Sequence, residues 1–176
     1  ERAFTVVSEK NPDLEESQRR EIARVVGLGA LKYADLSNNR QSDYIFDWDK
    51  MLALQGNTAP YLQYAYTRVR SIFRKMDAPN FATVEFRLKA PEELALAKHL
   101  MNFGQTLEMV AQDYRPNFLC NYLFELAGHF SRFYEACPVL KAEEAERNSR
   151  LAICELTARV LRSGLDALGI EVTEVM

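Results

Sequence analysis

Residues Gly29 to Ile72 read GALKYADLSNNRQSDYIFDWDKMLALQGNTAPYLQYAYTRVRSI. The first seven continue a helical pattern capped by Asp13 or Ser17 and running to about Asp35, with Glu15 and Glu16 near its positive end. From Ser37 to Asp47 the apolar period lapses into Asn38, Asn39, Arg40, Gln41, Ser42 and Asp43, a loop or a short extended piece. Phe46 to Leu54 predicts a short helix closed by Gly56, and Asn57 or Thr58 caps the next. There Pro60 sits in the first turn, where a missing N–H does no harm. Leu62, Tyr66, Val69, Phe73 and Met76 then alternate spacings of four and three, which is one buried stripe of a helix reaching Met76.

Working outward, the same period fills most of the chain. The opening ERAFTVVSEK reads as the last turns of a helix already under way, which puts the start of the natural polypeptide upstream. Gly27, Gly29, Ala30 and Ala34 are small, and because mid-helix glycine costs about 1 kcal/mol against alanine, they predict a close-packed neighbour. Asp77 to Ala90 breaks the period, with a linker over 79–90. Pro91 starts a helix reaching Tyr114 along Leu100, Phe103, Leu107 and Val110. Pro116 opens another with Leu119, Leu123, Leu126, Phe130, Phe133 and Cys137 in its seam, and residues 139–145 connect to the last. That helix turns Leu151, Cys154, Ala158, Leu161, Leu165 and Leu168 inward and stops at Gly169. The fold class is all-α: a helical bundle over 91–176, preceded by a smaller helical connecting region over 1–78.

Composition narrows the chemistry. With 176 residues, 48% of them hydrophobic, the chain can bury a core without staples. Cys120, Cys137 and Cys154 lie singly in apolar helical patterns and only two histidines occur, which argues against a zinc site or a disulfide framework and fits a reducing cytoplasm. No apolar run approaches the roughly 18 residues of a membrane span. A net charge of −3 and a pI near 5.5 exclude a general polycationic nucleic-acid binder, so any RNA contact is local. There is no Gly-rich phosphate loop and no metal-ligand spacing. His99 and His129 each stand alone on a helix, as solvated or satisfied structural residues. Catalytic residues and metal ligands are therefore both assigned as none.

The chain resembles the arginyl-tRNA synthetases, class I enzymes that attach arginine to its tRNA. The resemblance rests on Lys32-Tyr33-Ala34-Asp35-Leu36, Phe46-Asp47-Trp48-Asp49 with Met51-Leu52, and Gly56-Asn57-Thr58-Ala59-Pro60-Tyr61-Leu62-Gln63-Tyr64-Ala65. It continues through Asn148-Ser149-Arg150-Leu151, Gly164-Leu165-Asp166 and Leu168-Gly169-Ile170 to Met176. It implies a DALR-type anticodon-binding bundle of the class I synthetases, joined through the connecting region to a catalytic core that lies upstream. The two catalytic signatures of that class, of the types His-Ile-Gly-His and Lys-Met-Ser-Lys-Ser, are not in this chain; Lys75-Met76-Asp77 shares only two letters with the second. The resemblance thus implies a tRNA-binding fragment without cofactor, whose full-length parent uses ATP, with arginine and ATP bound upstream. The implied partner is tRNA(Arg), mainly its anticodon stem-loop, and the implied setting is a cytoplasmic monomer.

Proteins that read single-stranded loops stack bases on flat side chains and hold phosphates with cations. Tyr61, Tyr64, Arg68, Ser71 and Lys75 follow one another at helical spacings beside Arg70 and Arg74. From the residues alone this strip reads more readily as a solvated face with half-buried tyrosines; the resemblance reverses that preference and implies that Tyr61, Tyr64, Arg68 and Arg70 lie along the inner side of the tRNA. Tyr134 falls one position off the seam of its helix, and the resemblance turns it toward the anticodon, against the alternative of an ordinary amphipathic bundle tyrosine. Arg147, Asn148 and Arg150 lie near the start of the last helix, whose dipole favours phosphate. By resemblance Met176 helps shape the anticodon pocket. The tail Glu171-Val172-Thr173-Glu174-Val175-Met176 departs from the Pro-Glu-Arg-Met ending of many relatives, and so lacks a cation there. Two competing readings are a helical protein-interaction module without RNA and the bundle of a sibling such as the cysteinyl enzyme.

Overall fold

A computed structural model describes residues 1–74 and 84–176. The described residues form eight helices: α1 (Arg2–Lys10), α2 (Glu16–Leu36), α3 (Trp48–Met51), α4 (Ala59–Phe73), α5 (Pro91–Met101), α6 (Phe103–Asp113), α7 (Asn117–Ala136) and α8 (Glu144–Ala167). The all-α class holds. Met76, Lys75 and residues 79–83 of the expected linker lie outside the described residues, and residues 84–89 lead into α5 without regular secondary structure.

Several boundaries move for local reasons. Glu15, rather than Asp13 or Ser17, caps α2 through a reciprocal box in which its own N–H donates to Gln18 Oε1 at 3.3 Å. The expected Phe46–Leu54 helix shrinks to α3, because Asp47 Oδ1 accepts the N–H groups of Asp49 (3.0 Å) and Lys50 (3.2 Å) at one end. At its other end Thr58 Oγ1 donates to the Ala53 carbonyl at 2.6 Å and draws the chain away. That same hydroxyl accepts the Tyr61 N–H, so Thr58 is the cap of α4. Asn57 points instead at Tyr33 and Asn121. The helix expected from Pro91 to Tyr114 breaks at Asn102, whose N–H donates to His99 O three residues back at 3.1 Å, two residues before Gly104. Gly169 adopts φ +68 and the Ile170 N–H reaches back to Leu165 O at 2.9 Å, the expected glycine stop.

Two apolar clusters result. The larger takes in Tyr33 of α2, Leu62, Tyr66 and Val69 of α4, Leu96 of α5 and the seams of α7 and α8, so the core runs across the segment read as a linker. The smaller joins Ala3 and Val7 of α1 to Ile22, Ala23 and Val26 of α2. Close approach occurs where small residues predicted it: a Cβ on Gly29 would lie 2.8 Å from Gln63 Nε2, and one on Gly27 3.2 Å from Ala3. Past Gly169 the tail runs back over α2 and α4. Lys32 Nζ donates to Gly169 O (2.5 Å), Gln63 Nε2 to Glu171 O (2.9 Å) and Thr67 Oγ1 to Thr173 O (3.0 Å), and Met176 packs on the smaller cluster. Among the described residues no helix is long and apolar enough to cross a membrane.

Candidate nucleic-acid interface

The junction of α4 and α7 carries a row of paired polar and aromatic side chains. At its start the single Tyr33 OH proton is shared between Asn57 Oδ1 (2.5 Å) and the Cys120 carbonyl (2.9 Å), and Asn57 Nδ2 donates to Asn121 Oδ1 (3.1 Å). The Tyr61 ring meets Phe124 edge to face, with centroids 5.7 Å apart. Further along, the Arg68 guanidinium lies 4.7 Å from the ring centre of Tyr134. Tyr134 is 36% exposed and leans on Phe130, which belongs to the buried seam of α7. One cation and one flat ring thus sit together at the surface, held from below by the core.

The predicted residues do not form one continuous strip. Tyr64, 46% exposed, faces away from that row into an apolar recess of about 170 Å³ that it shares with Val7, Val26, Leu54, Pro60 and Met176. Arg70 is held by Glu174 (3.0 Å) and Glu155 (3.4 Å), and the Glu174 hydrogen bond raises its pKa. Arg74 donates to the Glu174 carbonyl. Arg150 turns inward: its side chain is 12% exposed, its Nε bonds Glu93 Oε1 at 2.6 Å and its NH1 bonds Pro138 O at 3.0 Å. Burial pushes the Glu93 carboxyl up, but the N–H of Ala90, the Arg150 guanidinium and the N–H of Lys89 outweigh it and hold Glu93 below the usual carboxylate range. Arg147 and Asn148 are half-buried in the first turns of α8, and among the described residues Arg147 makes no ion pair. Glu144 and Glu146 share that first turn, and Glu146 binds Lys89 at 2.5 Å, so the helix start is less electropositive than its dipole alone suggests.

The two histidines do not stand alone. His99 of α5 and His129 of α7 have ring centres 4.9 Å apart, and His99 stacks on Tyr122 at 4.5 Å. Tyr122 OH donates to His99 O at 3.0 Å, while His99 Nε2 lies 3.0 Å from Tyr122 O. Burial, then the neighbouring His99 and Arg132, push the His129 pKa down. No catalytic partner meets this pair among the described residues. The thiols of Cys120 and Cys154 are pushed up by burial to about 12, which removes them as nucleophiles. Phe124 is the site residue that sequence reading missed. It falls one position off the α7 seam after Leu123, as Tyr134 does after Phe133, and that offset is the signal that could have found it.

A family model for the DALR anticodon binding domain matches residues 62–176, and one for the catalytic domain of the class I (R) tRNA synthetases matches residues 1–48. The chain is 57% identical over its whole length to an arginine–tRNA ligase of Chromobacterium violaceum, and 54% identical to one of Proteus mirabilis. In each case it spans 31% of the relative. Among solved structures it is similar to the arginyl-tRNA synthetase of Thermus thermophilus, with 35% identity, a TM-score of 0.92, and coverage of 99% of this chain and 30% of that one. For the Plasmodium falciparum arginyl-tRNA synthetase the values are 30% identity, a TM-score of 0.85, and coverage of 99% and 32%.

Proposed function

Because the chain belongs to the DALR anticodon-binding family as arginyl-tRNA synthetases carry it, we propose that it is the tRNA-docking part of an arginine–tRNA ligase. The whole enzyme would join arginine to tRNA(Arg) with ATP, arginine and ATP both being bound by the catalytic domain, as a monomer in the cytoplasm. This part works by position. Holding the anticodon stem-loop fixes where the acceptor end of the tRNA falls, and recognition becomes rate because the reacting groups meet in one geometry.

The observation that carries the reading is the Arg68–Tyr134 pair, a cation against an exposed ring on a rigid base. An unpaired base stacks on such a surface while Arg68 answers the phosphate beside it. Tyr61, Arg147 and Asn148 extend the same interface. Arg70, Arg150, Tyr64 and Met176 take part as positioning residues, since their side chains are turned to the protein itself. The catalytic model matches only residues 1–48, and the isolated chain is expected to be inactive in arginine transfer.

The test is the affinity of the chain for a tRNA(Arg) anticodon stem-loop, measured by fluorescence anisotropy across ionic strength. Tyr134→Ala is expected to weaken binding by about 1–3 kcal/mol, and binding to weaken as salt rises. An unchanged affinity in Tyr134→Ala removes that residue from the site. Absence of binding at low salt refutes the docking role for the isolated chain.

A further inference from the structure

We infer that Leu28 and Leu31 of α2, together with Ile45, Phe46 and Trp48, form the seat on which the rest of a class I catalytic domain packs. All five are large, apolar and between 42% and 89% exposed. Leu28, Leu31 and Trp48 line one recess of about 510 Å³ with Leu52. Phe46 meets Trp48 edge to face at 4.7 Å, and Ile45, 89% exposed, precedes Phe46 in the chain and lines a separate recess with Tyr44 and Met51. Apolar surface of this extent is drawn out of water when a partner is available.

The occupant follows from three observations. First, the catalytic-domain model covers residues 1–48, a span that contains all five side chains and ends on Trp48. A segment that forms part of a larger folded unit leaves bare the side chains which that unit buries. Second, the relatives are about three times longer, and the chain spans 31% of the first of them. Third, the patch is poorly equipped for RNA. Arg24 is bound to Glu21 and Glu171 at 2.7 Å each, and Lys32 is bound to Gly169 O, so two of the cations beside it are already held by the protein's own acceptors.

The inference rests on reading the chain as one part of a longer synthetase, and its test is independent of stem-loop binding. Leu31→Cys and Ile45→Cys are introduced separately into the full-length enzyme and into the 176-residue chain, and maleimide labelling of each site is followed by peptide mass spectrometry. The buried Cys120, Cys137 and Cys154 serve as slow internal references. Labelling at both sites is expected to be slower in the full-length enzyme by roughly tenfold or more, since access then requires the interface to open. Hydroxyl-radical footprinting of Phe46 and Trp48 in the unsubstituted proteins gives the same readout if a cysteine variant misfolds. Equal rates overturn the inference, as does protection that arises only when tRNA is added. Protection of the short chain that grows with its own concentration would assign the patch to a second copy and also overturn it.

Discussion

Glu93→Gln perturbs the one buried carboxylate of the bundle with almost no change of shape. The Glu93 side chain is 1% exposed, and its two oxygens divide the work. Oε2 accepts the N–H groups of Lys89 (2.7 Å) and Ala90 (2.8 Å) at the start of α5, and Oε1 accepts Arg150 Nε (2.6 Å). An amide can keep only one of these faces. If its oxygen stays on the backbone pair, its NH₂ meets the Arg150 donor, and a guanidinium that is 12% exposed is left with Glu146 at 3.8 Å and Pro138 O. A charge-assisted bond of about 1.5–3 kcal/mol is lost, and leaving a buried charge unpaired pushes the cost toward about 3–5 kcal/mol. With the partial compensation from Glu146, the expected loss is about 2–4 kcal/mol, or a fall in Tm of roughly 5–15 °C for a chain of this size. Circular dichroism at 222 nm reads it directly. Adding Arg150→Met should recover at least half of the loss, because it removes the orphaned cation. The wild type carries a matching acid dependence. The folded Glu93 carboxyl titrates below its ordinary value of 4.5, so this contribution is complete above that pH and lost as pH falls through the folded pKa, and Glu93→Gln should lack it. A fall in Tm under about 2 °C, or a double variant as unstable as the two single losses summed, would refute the account.

Two further perturbations test other parts of the molecule. Gly164→Ala would set a Cβ 2.6 Å from Leu123 Cδ2 inside the α7–α8 seam; overpacking of about 1–3 kcal/mol exceeds the helix-propensity gain of about 1 kcal/mol, so a lower Tm is expected and a higher one contradicts the packing. The His99–His129 contact predicts a second pH dependence. Because the folded His129 pKa lies below its ordinary 6.5, the folded state binds fewer protons than the unfolded chain, and stability should be full above that pH and fall below it. Burial drives the shift, His99 and Arg132 add to it, and Glu125 opposes it. His129→Gln should flatten Tm between pH 5 and 7, and an unaltered slope there would sink the assignment.

Local rules reached the fold well where one residue type decides the geometry. The seams of α4, α7 and α8, Pro60 in a first turn and Gly169 at a stop follow from helical period and backbone sterics. The break at Asn102 stayed hidden because Leu100, Phe103, Leu107 and Val110 keep packing on the core across it, so the apolar pattern carries no mark of the kink. The site divides in the same way. Tyr134 could be singled out because it leaves the seam by one position, and its exposure follows from that offset. Arg68 above it, and Arg150 turned to Glu93 fifty-seven residues away, depend on which helices become neighbours. Spacing within a helix says nothing of that. The histidines make the same point: each stands alone in its own segment, yet they meet once α5 lies on α7.

The distance between the Tyr61–Arg68 row and the apolar seat is set by how α2 meets α4. Gly29 allows the two helices to approach until Gln63 fills the gap, and Gln63 Nε2 donates to Val25 O of α2 (3.3 Å) and to Glu171 O of the tail (2.9 Å). One buried amide therefore joins two helices and the strap that crosses them. Thr67, Tyr66 and Arg70, in the next turns of α4, fix that strap to Thr173 and Glu174. Tyr61 and Arg68 leave the same helix toward α7, whereas Leu28 and Leu31 leave α2 toward the seat. A positional mechanism needs its two contact surfaces held at a constant separation. Close-packed helices provide that here because an added methyl at Gly29 would already collide, which leaves little room for α2 to slide on α4.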